Sequence, residues 1–572
     1  MKSVLETLTI KASKAFEEAG YSYDFGSVRT SDRPDLCTYQ CNGAFPAAKK
    51  YRKAPSVIAM EVAKILKNDP DFESVSVKGA GFINLDVTDE FLLGYLNEMV
   101  NDIHSGVPQT EKDETIFIDY GGPNAAKPLR VGHLRSAVIG ESLKRIAQAT
   151  GRKTVTDVHL GDWGLQMGMV LAELEDRGKL DACDSITPEE WENLYPAANA
   201  KKRADAAFDR RAHEITLAFQ KGNETYLSAW KKIMKVSIGG IKEMYDLLGA
   251  EFDMWHGESD SAEYVPELME ALEKKNLLAE SDGAKVVDVS LPEDAAHIPP
   301  VIIKKSDGSD IYATADLATI IEREKLCAPD EIWYVVDNRQ ALHFKQVFRC
   351  AEMAGIVRDQ GKLMHLGFGA INGPDGKPFK TRDGNVQKLS DFLSDVIQSV
   401  RTRISEELVG GEEAADEIAR KVAVASVKFG DLINCRAKDY IFDMEKFTSY
   451  EGKTGAFILY TITRINSVMK KAGSVEIAPP NEIYTDSELN LIYTLIQSGD
   501  KFLTAYEDKA PNVIAENAFE IASAFSSFYA ENKVLSEEDE KKKNAWLYLM
   551  HATKKILLKH LDALGIEAVE RM

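Results

Sequence analysis

Apolar and polar residues follow different periods in three successive parts of the chain. Residues 1–112 combine a helical period, as in Val4 to Ala19, with alternating runs such as Phe82 to Val87. Residues 113–390 carry β-branched apolar runs that alternate with helical stretches, which indicates a parallel sheet. Residues 391–572 are helical by period almost throughout. We therefore predict a small N-terminal α+β domain, a Rossmann-like α/β domain and a C-terminal all-α helical bundle.

The middle part contains a junction of strand, loop and helix that is the best candidate for a ligand site. Thr115 to Tyr120 is an apolar run of strand length, and Leu134 to Ala149 has a helical period that stops at Gly151. In open α/β folds, ligands bind at such junctions because helix N-termini present free N–H groups and a positive dipole end. Residues 172–250 are charged and helical, which predicts an insertion into the sheet.

The loop of this junction reads D-Y-G-G-P-N-A-A-K-P-L-R-V-G-H-L-R-S, from Asp119 to Ser136. It contains neither of the common phosphate-loop patterns, G-x-x-x-x-G-K-[ST] and G-x-G-x-x-G. Instead, a glycine that permits close backbone approach stands beside an imidazole and three cations, which could hold a triphosphate. A basic, solvated helix entry is the alternative interpretation. The residues concerned are Lys127, Arg130, Gly132, His133 and Arg135.

Composition limits the class of protein. A chain of 572 residues, 44% hydrophobic and 28% charged, is ordinary for several globular domains. Its six cysteines are scattered, and Cys37 and Cys41 lack a second pair for zinc, so we expect free thiols in a reducing cytoplasm. The N-terminus shows no signal-peptide pattern, and no apolar run is long enough to span a membrane. The net charge of -21 disfavours general nucleic-acid binding, although basic runs such as Lys49 to Lys53 could contact RNA.

Several ordered segments resemble those of the arginyl-tRNA synthetase family, which belongs to the class I aminoacyl-tRNA synthetases. The segment P-N-A-A-K-P-L-R-V-G-H-L-R-S is similar to the family signature, usually His-x-Gly-His, with Arg130 at the first His and His133 at the second. Further segments are Y-Q-C-N-G-A-F, H-L-G-D-W-G-L-Q, W-Y-V-V-D-N-R-Q-A-L-H-F and the tail L-G-I-E-A-V-E-R-M. Trp163 and Gln166 in the second of these could serve packing alone. The resemblance covers nearly the whole chain.

The resemblance implies a ligase that activates L-arginine with ATP, accompanied by Mg²⁺, to give arginyl-adenylate and pyrophosphate. The arginyl group then passes to the 3′ end of tRNA(Arg), and AMP leaves. The family's N-terminal domain contacts the outer corner of the tRNA, and its helical bundle reads the anticodon. We expect a cytoplasmic monomer without membrane contact. Three alternatives stay open: a class I synthetase of another specificity, a different nucleotidyl transferase, and a catalytically inactive tRNA-binding protein.

Candidate site residues follow from matching these motifs. Tyr312 and Asp316 stand four apart on a predicted helix and share a face, where a phenol and a carboxylate could meet the planar guanidinium of arginine. A surface pair is the alternative. The turn from Gly376 to Val386 stands where class I synthetases carry the mobile Lys-Met-Ser-Lys-Ser loop, which brings cations to the departing pyrophosphate. The resemblance assigns catalysis to Lys127, Arg130, His133, Lys377, Lys380 and Arg382, ATP binding to Lys127, Gly132, His133 and Lys380, and arginine binding to Asp119, Asn124, Glu258, Tyr312, Asp316 and Gln340.

Overall fold

The computed structural model of the chain describes residues 1–183, 186–305, 312–377, 387–473 and 477–572. Its N-terminal part is an antiparallel sheet covered by helices. The elements are α1 (Val4–Glu18), β1 (Val28–Thr30), β2 (Tyr39–Cys41), α2 (Ala44–Tyr51), α3 (Pro55–Leu66), β3 (Phe72–Lys78), β4 (Phe82–Val87) and α4 (Asp89–Asn101). The strand order is β1–β2–β4–β3. Ile83, Leu85 and Val87 alternate along β4 and are buried, so one face of this sheet packs on the helices.

The middle part alternates strands and helices, as its apolar pattern predicted. Its first half consists of β5 (Thr115–Tyr120), α5 (Val131–Ala149), β6 (Lys153–Asp157), α6 (Leu165–Asp176), α7 (Pro188–Ala204), α8 (Ala206–Gln220) and α9 (Glu224–Leu248). Its second half consists of α10 (Glu258–Ser261), α11 (Val265–Lys274), β7 (Ala279–Ser281), β8 (Ala284–Val287), β9 (Val301–Lys304), α12 (Tyr312–Cys327), β10 (Glu331–Val335), α13 (Ala341–Ala354), β11 (Leu363–His365) and β12 (Ile371–Asn372).

The central sheet of this part is parallel, in the order β11–β10–β5–β6. Successive residues of β5 point to opposite faces: Ile116 and Ile118 join the core that includes α5, whereas Phe117 joins a second core with α12 and α13. The chain leaves β5 for β6 on one side and later reaches β10 on the other. The gap between the carboxyl ends of β5 and β10 is therefore the place where open α/β sheets bind ligands.

The helical insertion leaves the sheet after β6 and returns beside it. The return segment runs parallel to the continuation of β6, with bridges from Asp157 to Met254 and from Leu160 to Gly257. Helix α7 of the insertion contacts the loop that follows β5, since the ring centre of its Tyr195 lies 3.9 Å from the ammonium nitrogen of Lys127. The insertion thus reaches the ligand edge of the sheet.

The C-terminal part is a bundle of helices that packs on α5. Its elements are α14 (Leu389–Arg401), α15 (Glu406–Val409), α16 (Glu412–Leu432), β13 (Tyr440–Ile441, paired with β12), α17 (Met444–Phe447), α18 (Gly455–Ala472), α19 (Asp486–Ile496), α20 (Ser498–Glu507), α21 (Pro511–Glu531) and α22 (Glu540–Ala563). The buried Arg135 guanidinium of α5 donates to Asp431 at 2.9 Å, and Ser142 Oγ donates to the Ala563 carbonyl at 2.9 Å. The predicted fold class is confirmed. Within the described ranges, no helix combines the length and apolar character needed to cross a membrane.

Candidate active site

The loop after β5 is held against the next strand's loop by close backbone contacts. The Ala125 N–H donates to the Gly161 carbonyl at 3.0 Å, and the Gly161 N–H donates to the Pro123 carbonyl at 3.1 Å. A side chain at Gly161 would not fit, because its Cβ would lie 2.4 Å from Asn124 Oδ1. Because Gly161 has no side chain, the two loops can approach each other closely, and this contact fixes Asn124 at the edge of the sheet.

Helix α5 begins with a histidine that caps its own first turn. The Arg130 N–H donates to His133 Nδ1 at 2.9 Å. Burial, assisted by the nearby Lys127 and Arg130 charges, lowers the pKa of His133 to about 4. His133 is therefore neutral at pH 7, and because Nδ1 accepts, the remaining ring proton is on Nε2. Gly132 faces open space, since an added Cβ would meet no atom within 4 Å.

A small cavity of ≈ 90 Å³, here called the signature cavity, lies between this helix start and the insertion. Burial lowers the pKa of Lys127 to about 8, and the charge of Arg130 adds to that shift. The cavity has room for a group of about phosphate size, because one water occupies roughly 30 Å³. Its lining residues are Pro123, Asn124, Lys127, Pro128, Arg130, His133, Tyr195 and Pro196.

The segment after the predicted cation loop is bonded to this helix start. The Val131 N–H donates to the Gln387 carbonyl at 3.2 Å, and the Leu389 N–H donates to the Leu129 carbonyl at 3.0 Å. On the other side of the loop, Lys377 is exposed and its carbonyl accepts from the Gly373 N–H at 2.7 Å. Lys380 and Arg382 lie outside the described residues. The loop therefore ends next to the signature cavity.

Candidate substrate-binding side chains gather around Gly164, on the side of α12. Glu258 Oε2 and Tyr312 Oη each lie 3.9 Å from the position that a Cβ on Gly164 would occupy. The Tyr312 hydroxyl also accepts from Gln166 Nε2 at 2.9 Å. One turn along α12, Asp316 Oδ2 lies 2.5 Å from His343 Nε2. Glu258, Tyr312 and Asp316 are hereafter called the acidic cluster.

The two carboxylates of the acidic cluster differ in their protein partners, since Asp316 contacts His343 whereas Glu258 forms no ion pair with a described residue. Glu258 is half-buried, and burial raises its pKa to about 7, with the Asp316 and Asp162 charges adding and His159 opposing. Among the described residues, no lysine or arginine forms an ion pair with Glu258 or Asp316. A half-buried carboxyl group with a raised pKa favours a cationic ligand, because a nearby cation offsets the free-energy cost of ionising the carboxyl group.

The remaining candidates take different positions. Asp119 is buried and accepts from Arg323 Nη2 at 2.6 Å, so its carboxylate contacts a protein cation. The same guanidinium lies 3.5 Å from Asp157. Gln340 ends a short 3₁₀ helix after β10 and is exposed, on the opposite side of the β5–β10 gap from Asn124. The structure thus brings Asn124, the signature cavity and the acidic cluster to one edge of the sheet.

Three family models match successive parts of the chain. The catalytic-domain model of the class I tRNA synthetases (R) matches residues 96–444. The arginyl tRNA synthetase N terminal domain model matches residues 3–87, and the DALR anticodon binding domain model matches residues 458–572. The chain belongs to the arginyl-tRNA synthetase family.

Individual relatives agree with this assignment. The chain is 43% identical over 587 residues to an arginine–tRNA ligase of Alkaliphilus oremlandii, and 44% identical over 597 residues to one of Agathobacter rectalis; both alignments cover 100% of each chain. The crystal structure of arginyl-tRNA synthetase from Plasmodium falciparum has a TM-score of 0.83 at 22% identity and covers 100% of both chains. That similarity shows the fold.

Sequence reasoning on this arginyl-tRNA synthetase family member missed several residues at the site. Gln166, which the sequence pattern does not distinguish from a packing residue, donates to the Tyr312 hydroxyl, whereas the Trp163 ring packs with its centre 4.3 Å from that of Phe219. Tyr195 in the insertion had no local signal, since its surroundings read only as a charged helix. Arg323 had none either, because it lies within the helical pattern of α12. Its partner Asp119 is 204 residues away, so only the fold joins them.

Proposed function

We propose that this chain is an arginine–tRNA ligase. The carboxylate of L-arginine attacks the α-phosphorus of ATP, forming arginyl-adenylate as the bond to pyrophosphate breaks. The 2′- or 3′-hydroxyl of the terminal adenosine of tRNA(Arg) then attacks the arginyl carbonyl carbon and loses its proton. The bond between that carbon and the oxygen that bridges to phosphorus breaks, and AMP leaves with the bridging oxygen. Mg²⁺ enters as the counterion of ATP, its usual role with triphosphates.

The ATP side of the reaction is assigned to the start of α5. Lys127 and Arg130 supply positive charge to the phosphates, and His133 donates from Nε2–H as charge builds on them. Gly132 lets the nucleotide approach the backbone. Lys377, with Lys380 and Arg382 from the sequence match, supplies cations from the loop that ends at the signature cavity. These groups stabilise charge and position phosphates, and adenylate formation requires little more.

The arginine side is assigned to the acidic cluster. Asp316 and Glu258 face the guanidinium, and the Tyr312 hydroxyl adds a hydrogen bond. Asn124 and Gln340 flank the gap above β5 and β10 and hold the α-amino and carboxylate end. Asp119 acts indirectly, because its carboxylate accepts from Arg323 at the end of β5.

The tRNA is assigned to the two outer parts of the chain. The helical bundle reads the anticodon, and the N-terminal part contacts the tRNA corner. We retain boundaries at residues 112 and 390 between the three domains, with the insertion at about 172–250. The protein acts as a monomer in the cytoplasm. This division places both substrate sites in the middle domain, next to the bundle that packs on α5.

The observation that carries the specificity is the pair of carboxylates without a lysine or arginine partner in the described chain. A negatively charged amino acid would be repelled there, and an uncharged one would leave Glu258 without a cationic partner, whereas Asp316 already contacts His343. The test is aminoacylation of total tRNA with each labelled amino acid. Incorporation of arginine alone is expected. Incorporation of glutamate or cysteine instead of arginine, or tRNA binding without any adenylate, would overturn the proposal.

A further inference from the structure

Helix α7 of the insertion contacts the loop that carries Lys127. Trp191 and Tyr195 stand four residues apart and therefore share one face of α7. Tyr195 lines the signature cavity, whereas Trp191 lines a second cavity of ≈ 340 Å³. Lys127 and Pro128 line both cavities, so their segment is the wall between them. One helix face thus contacts the loop from two sides.

The Tyr195 ring is the contact that holds the Lys127 ammonium. The ammonium nitrogen lies 3.9 Å from the ring centre, close for a cation–π contact. Within the described ranges, Lys127 forms no ion pair, and its half-buried stem ends against the ring. A lysine side chain loses much rotamer freedom when it is fixed, so an aromatic face that fixes it in advance lowers the entropic cost of using it.

Tyr195 also borders the arginine side of the site. It lines the same cavity as Asn124 and His133. The pKa of Tyr312 is raised mainly by burial, and Tyr195 is among the groups near enough to add to that rise, after Glu258. The ring therefore lines the signature cavity and lies within electrostatic range of Tyr312 in the acidic cluster.

We propose that Tyr195 is a positioning residue for adenylate formation: its ring is a platform that keeps the Lys127 ammonium directed at the phosphates of ATP. This inference rests on the proposed function. It makes the insertion part of the ATP-activating machinery, because the platform comes from α7 while the lysine comes from the loop after β5.

The test compares variants of the full-length chain by ATP–pyrophosphate exchange with arginine and tRNA. Tyr195→Leu keeps apolar volume but removes the π face, and Tyr195→Ala also admits water. Both are expected to lower kcat/KM for ATP at least about tenfold, the effect of losing one positioned charge, with KM for arginine within about twofold. Tyr195→Phe should retain activity. Tyr226→Leu, on α9 of the same insertion, is the matched control; its hydroxyl contacts Glu175 at 3.2 Å.

A pH profile separates positioning from general damage to the fold. In the wild type, kcat/KM for ATP should fall above pH 8, since the pKa of Lys127 is about 8 and the ammonium form binds phosphate. In Tyr195→Ala this alkaline limb should move to higher pH, because water then reaches the Lys127 ammonium and the pKa of Lys127 rises toward its ordinary value. In Tyr195→Phe it should stay in place.

Several outcomes overturn the inference. Equal losses in Tyr195→Phe and Tyr195→Leu would assign the effect to the hydroxyl rather than the ring. Unchanged kcat/KM for ATP in Tyr195→Leu would exclude a platform role, and so would a further loss when Tyr195→Leu is added to Lys127→Met. Absence of arginine-dependent exchange in the wild type would instead refute the proposed function, whatever the Tyr195 variants do.

Discussion

Arginine binding should release a proton from Glu258. Burial raises the pKa of this half-buried carboxyl to about 7, so it is partly protonated at neutral pH. A guanidinium beside it favours the ionised form, and the pKa therefore falls when arginine binds. Binding and loss of the proton are linked, which makes arginine affinity depend on pH in a window where free arginine itself does not titrate.

The size of the effect follows from the pKa. At pH 7 about half of the free sites are protonated, so about 0.5 proton should leave per arginine bound. The ionised fraction falls about tenfold between pH 8 and pH 6, and the Kd for arginine should rise by the same factor, about 1.4 kcal/mol. Glu258→Gln should abolish this dependence and weaken binding at pH 8 by about 1.5–3 kcal/mol, the usual worth of a hydrogen bond to a charged group.

The assay is titration calorimetry of arginine into the full-length protein, without ATP or tRNA. Repeating it in buffers of different ionisation enthalpy gives the number of protons released. Asp500→Asn is the control, because burial also raises the pKa of Asp500 to about 6, yet this carboxylate accepts from the Leu5 N–H in the contact between α20 and α1. That variant should release as many protons as the wild type.

Two results would refute the reasoning. Release of less than about 0.1 proton at pH 7 would mean that Glu258 is ionised before arginine arrives or is never ionised. Undiminished release in Glu258→Gln would mean that another group titrates. The first result would refute a proton that leaves Glu258 on binding, and the second would assign that proton to a different group.

Other substitutions test the remaining assignments. Asp316→Ala should raise KM for arginine about tenfold or more, because a charged hydrogen-bond partner is lost, and a rise below about threefold would contradict its role. His133→Ala should lower kcat far more than it weakens arginine binding, and the wild-type kcat should show no limb near pH 6.5, since the pKa of His133 is about 4; equal effects on both parameters would mean that it only shapes the pocket. Asp431→Ala should reduce the free energy of unfolding by about 3–5 kcal/mol, because it leaves the buried Arg135 guanidinium unpaired. Denaturant unfolding measures this loss, and the double variant Arg135→Met, Asp431→Leu should recover most of it; a double variant as unstable as the single would argue against the pairing.

Local pattern was sufficient for the elements to which we assign ATP binding. The strand predicted at Thr115 to Tyr120 is β5, and the helical period at Leu134 to Ala149 belongs to α5, which starts three residues earlier at Val131. The earlier start has a local cause, the His133 cap on the Arg130 N–H, which periodicity of apolar residues does not report. Tyr312 and Asp316 also lie on one helix as predicted, because a four-residue spacing fixes their relation.

Tertiary structure alone decided which side chains lie together. Glu258 and Tyr312 lie beside Gly164 although they belong to segments far apart in the chain. Arg323 donates to the carboxylate of Asp119, a residue that the sequence comparison had assigned to arginine binding. The Tyr195 platform depends on how an inserted helix returns to the sheet. The sequence by itself determined the helices and strands, the charged residues and the family resemblance, since each of these is visible in short stretches of neighbouring residues. The fold decided burial and pairing, and these set the pKa of Glu258 and Lys127, because desolvation depends on atoms that long-range packing brings near.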